Sequence, residues 1–121
     1  MKKASKYGIK CFIDPHQDTW SRFTGGSGAP GWTFEVAGID VTKLEQVGAV
    51  HFYDFQAGTD DGKMVWPSNY TKLACATMFT LFFAGDVFAP DKTYKGESCQ
   101  GFLQRCYYSC YAYLAKYYVL T

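Results

Sequence analysis

The sequence has no excess of charge of either sign. Its 121 residues carry 12 lysines and arginines against 11 aspartates and glutamates, which gives a formal net charge of +1 at pH 7. Binding to nucleic acid or to an anionic membrane surface depends on a strongly basic face. Neither nucleic acid nor a membrane surface is therefore an expected partner.

Long hydrophobic runs and targeting signals are also missing. The longest apolar stretch, residues 73–85, is well short of the ~20 residues that a transmembrane helix needs. The N-terminal sequence MKKASKYGIK is basic, but it lacks the apolar core of a secretory signal. We therefore expect no transmembrane segment and a cytoplasmic location.

Patterns typical of metal and cofactor sites are absent. The five cysteines form an odd set without CxxC spacing, which favours reduced thiols. His16 and His51 with a cysteine would fit no known zinc-ligand spacing, and a cysteine nucleophile would lack an orienting group. The glycine-rich stretch 25–28 is not followed by the Lys-Ser or Lys-Thr pair of a phosphate-binding loop. We expect no metal ion and no cofactor.

Apolar residues, by contrast, are abundant. They make up 48% of the sequence, and aromatic residues make up 19%, which is enough to form the core of one domain. Helices are predicted at residues 2–7 with Gly8 as cap, at 40–47 with Asp40 as cap, at 70–84 between Asn69 and Gly85, and at 99–118. The helix at 70–84 is apolar nearly all round, which predicts burial on several sides.

One segment, residues 9–13, has the composition of a β-strand. Irregular connections are expected at 15–38, 53–67 and 86–96. Because a lone strand cannot satisfy its own backbone groups, we expect its partners on chain outside these 121 residues.

Polar side chains follow this predicted strand at alternate positions. Asp14, His16 and Asp18 would project to one side if the extended backbone continued, at the end of the strand where βα enzymes carry their polar groups. A turn begun by Asp14 and Pro15 is the alternative interpretation. Trp20, Trp32 and Trp66 fall in the predicted loops, either as platforms for sugar or lipid or as plugs folded back on the core.

Three runs of sequence carry a family resemblance. YGIKCFIDPHQDTWSRFTGGSGAPGWTFEVAG at 7–38, KMVWPSNYTKLACATMFTLFFAGDVFAP at 63–90 and GFLQRCYYSCYAYLAK at 101–116 resemble fungal glycoside hydrolase family 5 enzymes related to endoglycosylceramidase. That group acts on glucosylceramide and steryl glucosides. The resemblance implies an α/β fold, a partial (β/α)8 TIM barrel around its third strand, the long loop of that strand and the following helices.

The same resemblance assigns candidate substrate-binding residues. It implies that Asp14 and His16 hold the glucose unit of a glucosylated lipid, and that Asp18, Trp20 and Arg22 shape the pocket. Members of the group are retaining glycosidases with two catalytic glutamates, one in an Asn-Glu-Pro motif ending the fourth strand and one ending the seventh.

Neither glutamate motif occurs in this sequence. Glu35, Glu45 and Glu97 have neither a preceding asparagine nor a following proline. A complete barrel takes ~250 residues, so residues 1–121 are expected to be a single incomplete segment of a catalytic barrel, inactive in isolation and lacking the rest of the barrel as its partner. The alternatives are a non-catalytic module that binds a sugar or a lipid glucoside, and a gene remnant.

Overall fold

The computed structural model describes residues 2–12, 14–51 and 65–119 of the chain. The elements are α1 (Lys2–Ser5), α2 (Trp32–Val36), α3 (Val65–Asn69), α4 (Leu73–Phe88), β1 (Thr93–Tyr94), β2 (Glu97–Ser98) and α5 (Cys99–Val119). Two short 3-10 helices lie at Arg22–Thr24 and Val41–Lys43. The described residues thus form a mostly helical structure with two short strands.

The core lies where α4 and α5 pack along each other under the segment that contains α2. Phe34 of α2 and Met78 of α4 are fully buried, and Leu103 of α5 closes the same cluster. Trp20, Leu44 and Val50 come from the connecting segments, so the loops contribute to the core as well as the helices do.

The N-terminal helix ends as the sequence predicts, although it is shorter than residues 2–7. Gly8 adopts φ 68°, the left-handed conformation that glycine tolerates without steric cost. The N–H of Gly8 donates to the Ser5 carbonyl and the N–H of Ile9 to the Ala4 carbonyl, both at 3.1 Å. This pair of bonds is the Schellman ending of a helix.

The strand predicted at residues 9–13 is not formed at residues 9–12, and Ile13 lies outside the described residues. The side chains of Ile9 and Phe12 are 59% and 94% exposed. The only sheet in the described residues joins β1 to β2, so this segment has no neighbouring strand to bond. The prediction is wrong here because strand geometry depends on a partner.

The connection predicted at 15–38 contains structure that the sequence pattern did not indicate. The 3-10 helix Arg22–Thr24 and helix α2 interrupt it, because Phe34 and Val36 are drawn into the core. The cap at Asp40 is confirmed, since its carboxylate accepts from the Thr42 N–H at 3.0 Å. The helix that follows is one 3-10 turn rather than residues 40–47.

Both predicted ends of the buried helix are corrected. Helix α4 begins after Lys72, and Asn69 instead lies buried in α3, where its amide bonds both backbone groups of His51 at 2.7 Å. Gly85 does not end the helix, which continues to Phe88. Burial is also one-sided, because Phe83 and Phe88 are exposed.

Helix α4 is kinked at Ala84, whose φ and ψ are −145° and 24°. Two glutamines of α5 bond the backbone at this point: Gln104 Nε2 donates to the Phe82 carbonyl at 2.6 Å, and Gln100 Oε1 accepts from the Asp86 N–H at 2.9 Å. A regular helix would join that carbonyl to that N–H. The kink is therefore stabilised by α5.

The last helix, predicted at 99–118, is confirmed as α5. The hairpin of β1 and β2 in the predicted loop 86–96 was missed. Lys95 and Gly96 at its turn both have positive φ, 52° and 82°, as the tight two-residue turns of hairpins require.

The connection predicted at 53–67 lies outside the described residues up to position 64, and its last residues open α3. Within the described ranges, no helix combines the length and the apolar character needed to cross a membrane. All five cysteines are free thiols.

Replacing Gln104 by leucine tests the junction between α4 and α5. Gln104→Leu keeps the size of the side chain but leaves the buried Phe82 carbonyl without its donor, so the free energy of unfolding should fall by about 1 to 3 kcal/mol. Urea unfolding followed by circular dichroism measures the loss. Gln46→Leu, in an exposed turn, is the control, and equal stability of the two variants would contradict the prediction.

Candidate functional site

The candidate residues of the loop after residue 13 do not form one cluster. His16 Nε2 lies 2.9 Å from Asp18 Oδ1, with the two side chains 69% and 23% exposed. Asp14 is exposed and makes no hydrogen bond or ion pair to any described residue. Arg22 lies with its guanidinium 5.0 Å from the ring centroid of Phe23. Of the three alternating polar residues, the structure therefore joins two.

Asp18 is held from its other side by Ser27. The Ser27 hydroxyl donates to Asp18 Oδ2 at 3.1 Å, and the Asp18 N–H donates to the Ser27 carbonyl at 3.0 Å. Partial desolvation opposes ionisation of Asp18, but the hydrogen bonds from His16 and Ser27 outweigh it and hold the pKa of the carboxyl below its usual value. The carboxylate is therefore charged at neutral pH, and its bonds are lost only as the pH falls below that lowered pKa.

The glycine-rich stretch 25–28 brings Ser27 to this position. A Cβ on Gly26 would lie 2.5 Å from Thr19 Oγ1 and 2.7 Å from Asp18 Cβ, which is closer than side chains approach. Gly25 caps the 3-10 helix at φ 78°. These glycines therefore allow one side of the loop to close on the other.

Buried hydroxyl groups fix the shape of the loop. Thr19, Ser21 and Thr24 are all buried. Thr19 Oγ1 donates to the Thr24 carbonyl at 2.8 Å, and the Thr24 hydroxyl contacts the Thr19 carbonyl in return. The Ser21 N–H donates to Thr24 Oγ1 at 3.1 Å, completing a capping box. The loop is thus held together by its own hydrogen bonds although it carries little regular structure.

Trp20 is folded back onto the core. Its φ of 81° is rare for a residue with a side chain. The indole is 4% exposed, donates from Nε1 to Thr33 Oγ1 at 2.9 Å, and meets Phe79 and Phe82 edge-on at 5.3 and 5.9 Å between centroids. The sequence left two interpretations of this tryptophan open, a platform for sugar or lipid and a plug folded back on the core. The structure shows the second. Trp32 remains half-exposed against Phe102, and the side chain of Trp66 lies outside the described set.

An aromatic cleft of about 530 Å³ lies between this loop, α4 and α5. Most of its lining is apolar: Gln17, Trp20, Gly28, Ala29, Pro30, Trp32, Thr33, Phe79, Phe82, Phe83, Leu103, Cys106, Tyr107, Tyr108, Cys110 and Tyr111. Neither His16 nor Asp18 belongs to it. The polar pair and the aromatic cleft are therefore separate features of the same loop.

The cleft was not predicted from the sequence. The sequence feature that could have indicated it is the four-residue spacing of aromatic side chains, Phe79 with Phe83 and Tyr107 with Tyr111. This spacing places each pair on one helix face. Each spacing by itself predicts only core packing. The cleft arises because the two faces meet across the junction of α4 and α5.

The glutamates lie outside this cleft. Glu35 accepts from the Tyr94 hydroxyl at 3.2 Å, and Glu45 is exposed. Glu97 is paired with Arg105 at 2.7 Å, and the hydrogen bond from that guanidinium holds the pKa of Glu97 below its usual value.

The described residues contain no group of three or more histidine, cysteine, aspartate or glutamate side chains arranged to hold a metal ion. Burial raises the pKa of the Cys75 and Cys99 thiols, which keeps them protonated and unreactive.

The chain is similar in sequence to several proteins of fungi, although no family model matches it. It is 59% identical over 112 residues to a glucosylceramidase of Rhizopus delemar, a match of 92% of this chain and 16% of the relative. It is 47% identical over 108 residues to an ergosteryl-beta-glucosidase of Saccharomyces cerevisiae, a match of 80% of this chain and 14% of the relative.

The structure agrees with these sequence matches. The crystal structure of Cryptococcus neoformans sterylglucosidase 1 superposes with a TM-score of 0.73 at 43% identity, over 85% of this chain and 15% of that one. The chain thus spans about 15% of the length of a solved relative with the same local fold. It belongs to the fungal glucosylceramidase and sterylglucosidase family, as one segment of it.

Proposed function

We propose that this chain is a segment of a retaining β-glucosidase that hydrolyses glucosylated lipids, either glucosylceramide or a steryl glucoside. The observation that carries the proposal is the 59% identity to a protein named glucosylceramidase across 92% of the chain. The 47% identity to an ergosteryl-beta-glucosidase supports the same substrate class with a different aglycone. Both kinds of relative act on a glucose unit attached to a lipid, as their names state.

In this proposal the segment is part of a (β/α)8 barrel. The exposed apolar side chains of Ile9 and Phe12 support it, because residues 9–13 would pair with strands that the described residues do not supply. Helix α5 would then be the helix that follows this strand in the barrel. Residues 1–121 make up one incomplete part of that domain.

The loop after the strand would supply the glucose-binding residues. Asp14 and His16 are exposed polar groups, available to hydrogen-bond sugar hydroxyls. Asp18, Trp20 and Arg22 shape the same pocket, Asp18 by its contact with His16 and Trp20 by anchoring the loop to α4. No cofactor or metal ion enters this chemistry.

Catalysis by such an enzyme needs two carboxyl groups about 5 to 5.5 Å apart, and one of them must hold a proton near neutral pH. Glu97 has the opposite property, because Arg105 stabilises its charged form. Glu35 and Glu45 lie outside the cleft and apart from the His16–Asp18 pair. The acid and the nucleophile would therefore come from other parts of the barrel.

The isolated chain should not hydrolyse a fluorogenic β-glucoside. Both steps of the retaining mechanism require the missing carboxylates, so the purified chain should release no fluorophore above the uncatalysed rate. The assay compares the chain with buffer alone. Turnover that disappears in Glu35→Gln or Glu97→Gln would show that the chain carries its own catalytic acid.

A chimera tests the assignment of glucose-binding residues. When residues 1–121 replace the matching segment of the Rhizopus delemar relative, hydrolysis of glucosylceramide should persist. Asp14→Asn should then lower kcat/KM by about 10- to 100-fold, because a hydrogen bond to a charged group contributes about 1.5 to 3 kcal/mol.

Asp91→Asn in the same chimera is the matched control, since it removes an exposed aspartate from the turn before β1. An active chimera in which Asp14→Asn and Asp91→Asn behave alike would remove Asp14 from the site. An inactive but folded chimera would count against the proposed function itself.

A second candidate function is non-catalytic binding of a glucosylated lipid. The aromatic cleft favours it, because its volume lies within the range of about 300 to 1,000 Å³ that is typical of small-molecule sites, and its apolar lining suits part of a lipid glucoside. On this view Phe83→Ser should weaken binding of a steryl glucoside by about tenfold, from the apolar contact area lost.

Phe88→Ser is the control for that measurement. Both phenylalanines are exposed on α4, but only Phe83 lines the cleft. Titration of the isolated chain with steryl glucoside in detergent micelles, followed by tryptophan fluorescence, measures the affinity. Equal affinities for the two variants, or no saturable binding, would rule out the cleft as a lipid site.

A further inference from the structure

We propose that Asp18 and Ser27 are positioning residues that act through His16, holding its ring so that Nδ1 accepts a hydrogen bond from a glucose hydroxyl. The proposal rests on the proposed function, in which His16 binds the glucose unit. It adds a division of roles among these three residues: His16 contacts the sugar, and Asp18 and Ser27 orient that contact.

The first step is the fixation of Asp18 by Ser27. Two hydrogen bonds join these residues, one between the Asp18 N–H and the Ser27 carbonyl and one between the Ser27 hydroxyl and Asp18 Oδ2. The absence of a side chain at Gly26 allows the approach. The carboxylate therefore cannot turn without breaking a bond, and its second oxygen is directed to His16.

The second step is the fixation of His16 by Asp18. An ionised carboxylate only accepts hydrogen bonds, so the His16 Nε2 that lies 2.9 Å from Asp18 Oδ1 must carry the proton. In a neutral imidazole the other nitrogen, Nδ1, is then an acceptor. The contact thus determines both the ring orientation and the kind of group that His16 offers to a ligand.

The third step separates the residue that touches the ligand from those that do not. The His16 side chain is 69% exposed, whereas that of Asp18 is 23% exposed and has a partner on each oxygen. A sugar can reach the imidazole without displacing either bond of Asp18. A glucose hydroxyl would donate to Nδ1, as the second partner of a ring already bonded at Nε2.

Two substitutions of His16 separate this arrangement from a merely structural contact. The carboxamide of asparagine overlaps the position of Nδ1, whereas that of glutamine overlaps Nε2. In the active chimera, His16→Asn keeps the acceptor but loses the contact with Asp18, so it should lower kcat/KM by about three- to tenfold, and His16→Gln should lower it by about tenfold more, the value of one hydrogen bond. The reverse order would show that the contact with Asp18, and not the Nδ1 acceptor, is what matters.

Substitution of Ser27 tests the positioning role. Ser27→Ala should lower kcat/KM by about three- to tenfold, as expected for the loss of one hydrogen bond behind the ligand-binding group. Ser27→Thr retains the hydroxyl at an exposed position and should restore the parent value. An equal loss in both variants would indicate a packing defect and would overturn the assignment of Ser27.

A spectroscopic measurement on the isolated chain is independent of sugar binding. Long-range proton–nitrogen NMR spectra should show neutral His16 with its proton on Nε2 and none on Nδ1. In Asp18→Asn the signals should move towards a mixture of tautomers, while those of His51, the other histidine, stay unchanged. A proton on Nδ1, or spectra that do not respond to Asp18→Asn, would overturn the positioning proposal.

The kinetics of the chimera and the NMR spectra of the isolated chain test different claims. An inactive chimera with the expected NMR spectra would contradict the proposed function and leave the His16–Asp18–Ser27 arrangement standing as geometry. An active chimera with unresponsive NMR spectra would leave the glucosidase assignment standing and remove the positioning role.

Discussion

The junction of α4 and α5 supports the rest of this structure. Gln100 and Gln104 of α5 bond the Asp86 N–H and the Phe82 carbonyl, which are the two groups a straight α4 would have joined to each other. The kink at Ala84 therefore leaves neither the Phe82 carbonyl nor the Asp86 N–H without a partner. The junction sets the aromatic face of α4 against that of α5, and Trp20 packs on the α4 side. The position of the whole loop follows from that contact.

The sequence predicts those parts of the fold whose cause is local. The left-handed cap at Gly8, the cap at Asp40 and the last helix depend on residues within a few positions of one another, and all three are present. Asn69 looks like a helix cap by the same local rules. Its amide is used instead by the backbone of His51, which is distant in sequence, so tertiary contact overrides local preference.

Features that composition and spacing could not show were the ones missed. The strand at residues 9–13 has the right composition, but composition cannot provide the second strand of a ladder. Each strand of the β1–β2 hairpin is only two residues long, so the sequence shows no alternation of apolar and polar residues there. Its one local signal is the Lys95-Gly96 pair, where positive φ at both positions suits the turn. In the site, the alternate spacing predicted only that Asp14, His16 and Asp18 project to one side, and the structure joins His16 to Asp18 but not Asp14. Ser27 comes to Asp18 only because the loop closes.

The uneven burial of the cysteines has a practical consequence. Cys75 and Cys99 lie in the core with their thiols kept protonated, whereas Cys11, before the loop, and Cys110, on α5, are exposed. Maleimide reagents attack the thiolate of accessible cysteines, so these two positions can carry a donor and an acceptor dye once the partly exposed Cys106 is replaced, without mutation of the buried pair. Energy transfer between the two dyes would then report the distance between the N-terminal segment and α5.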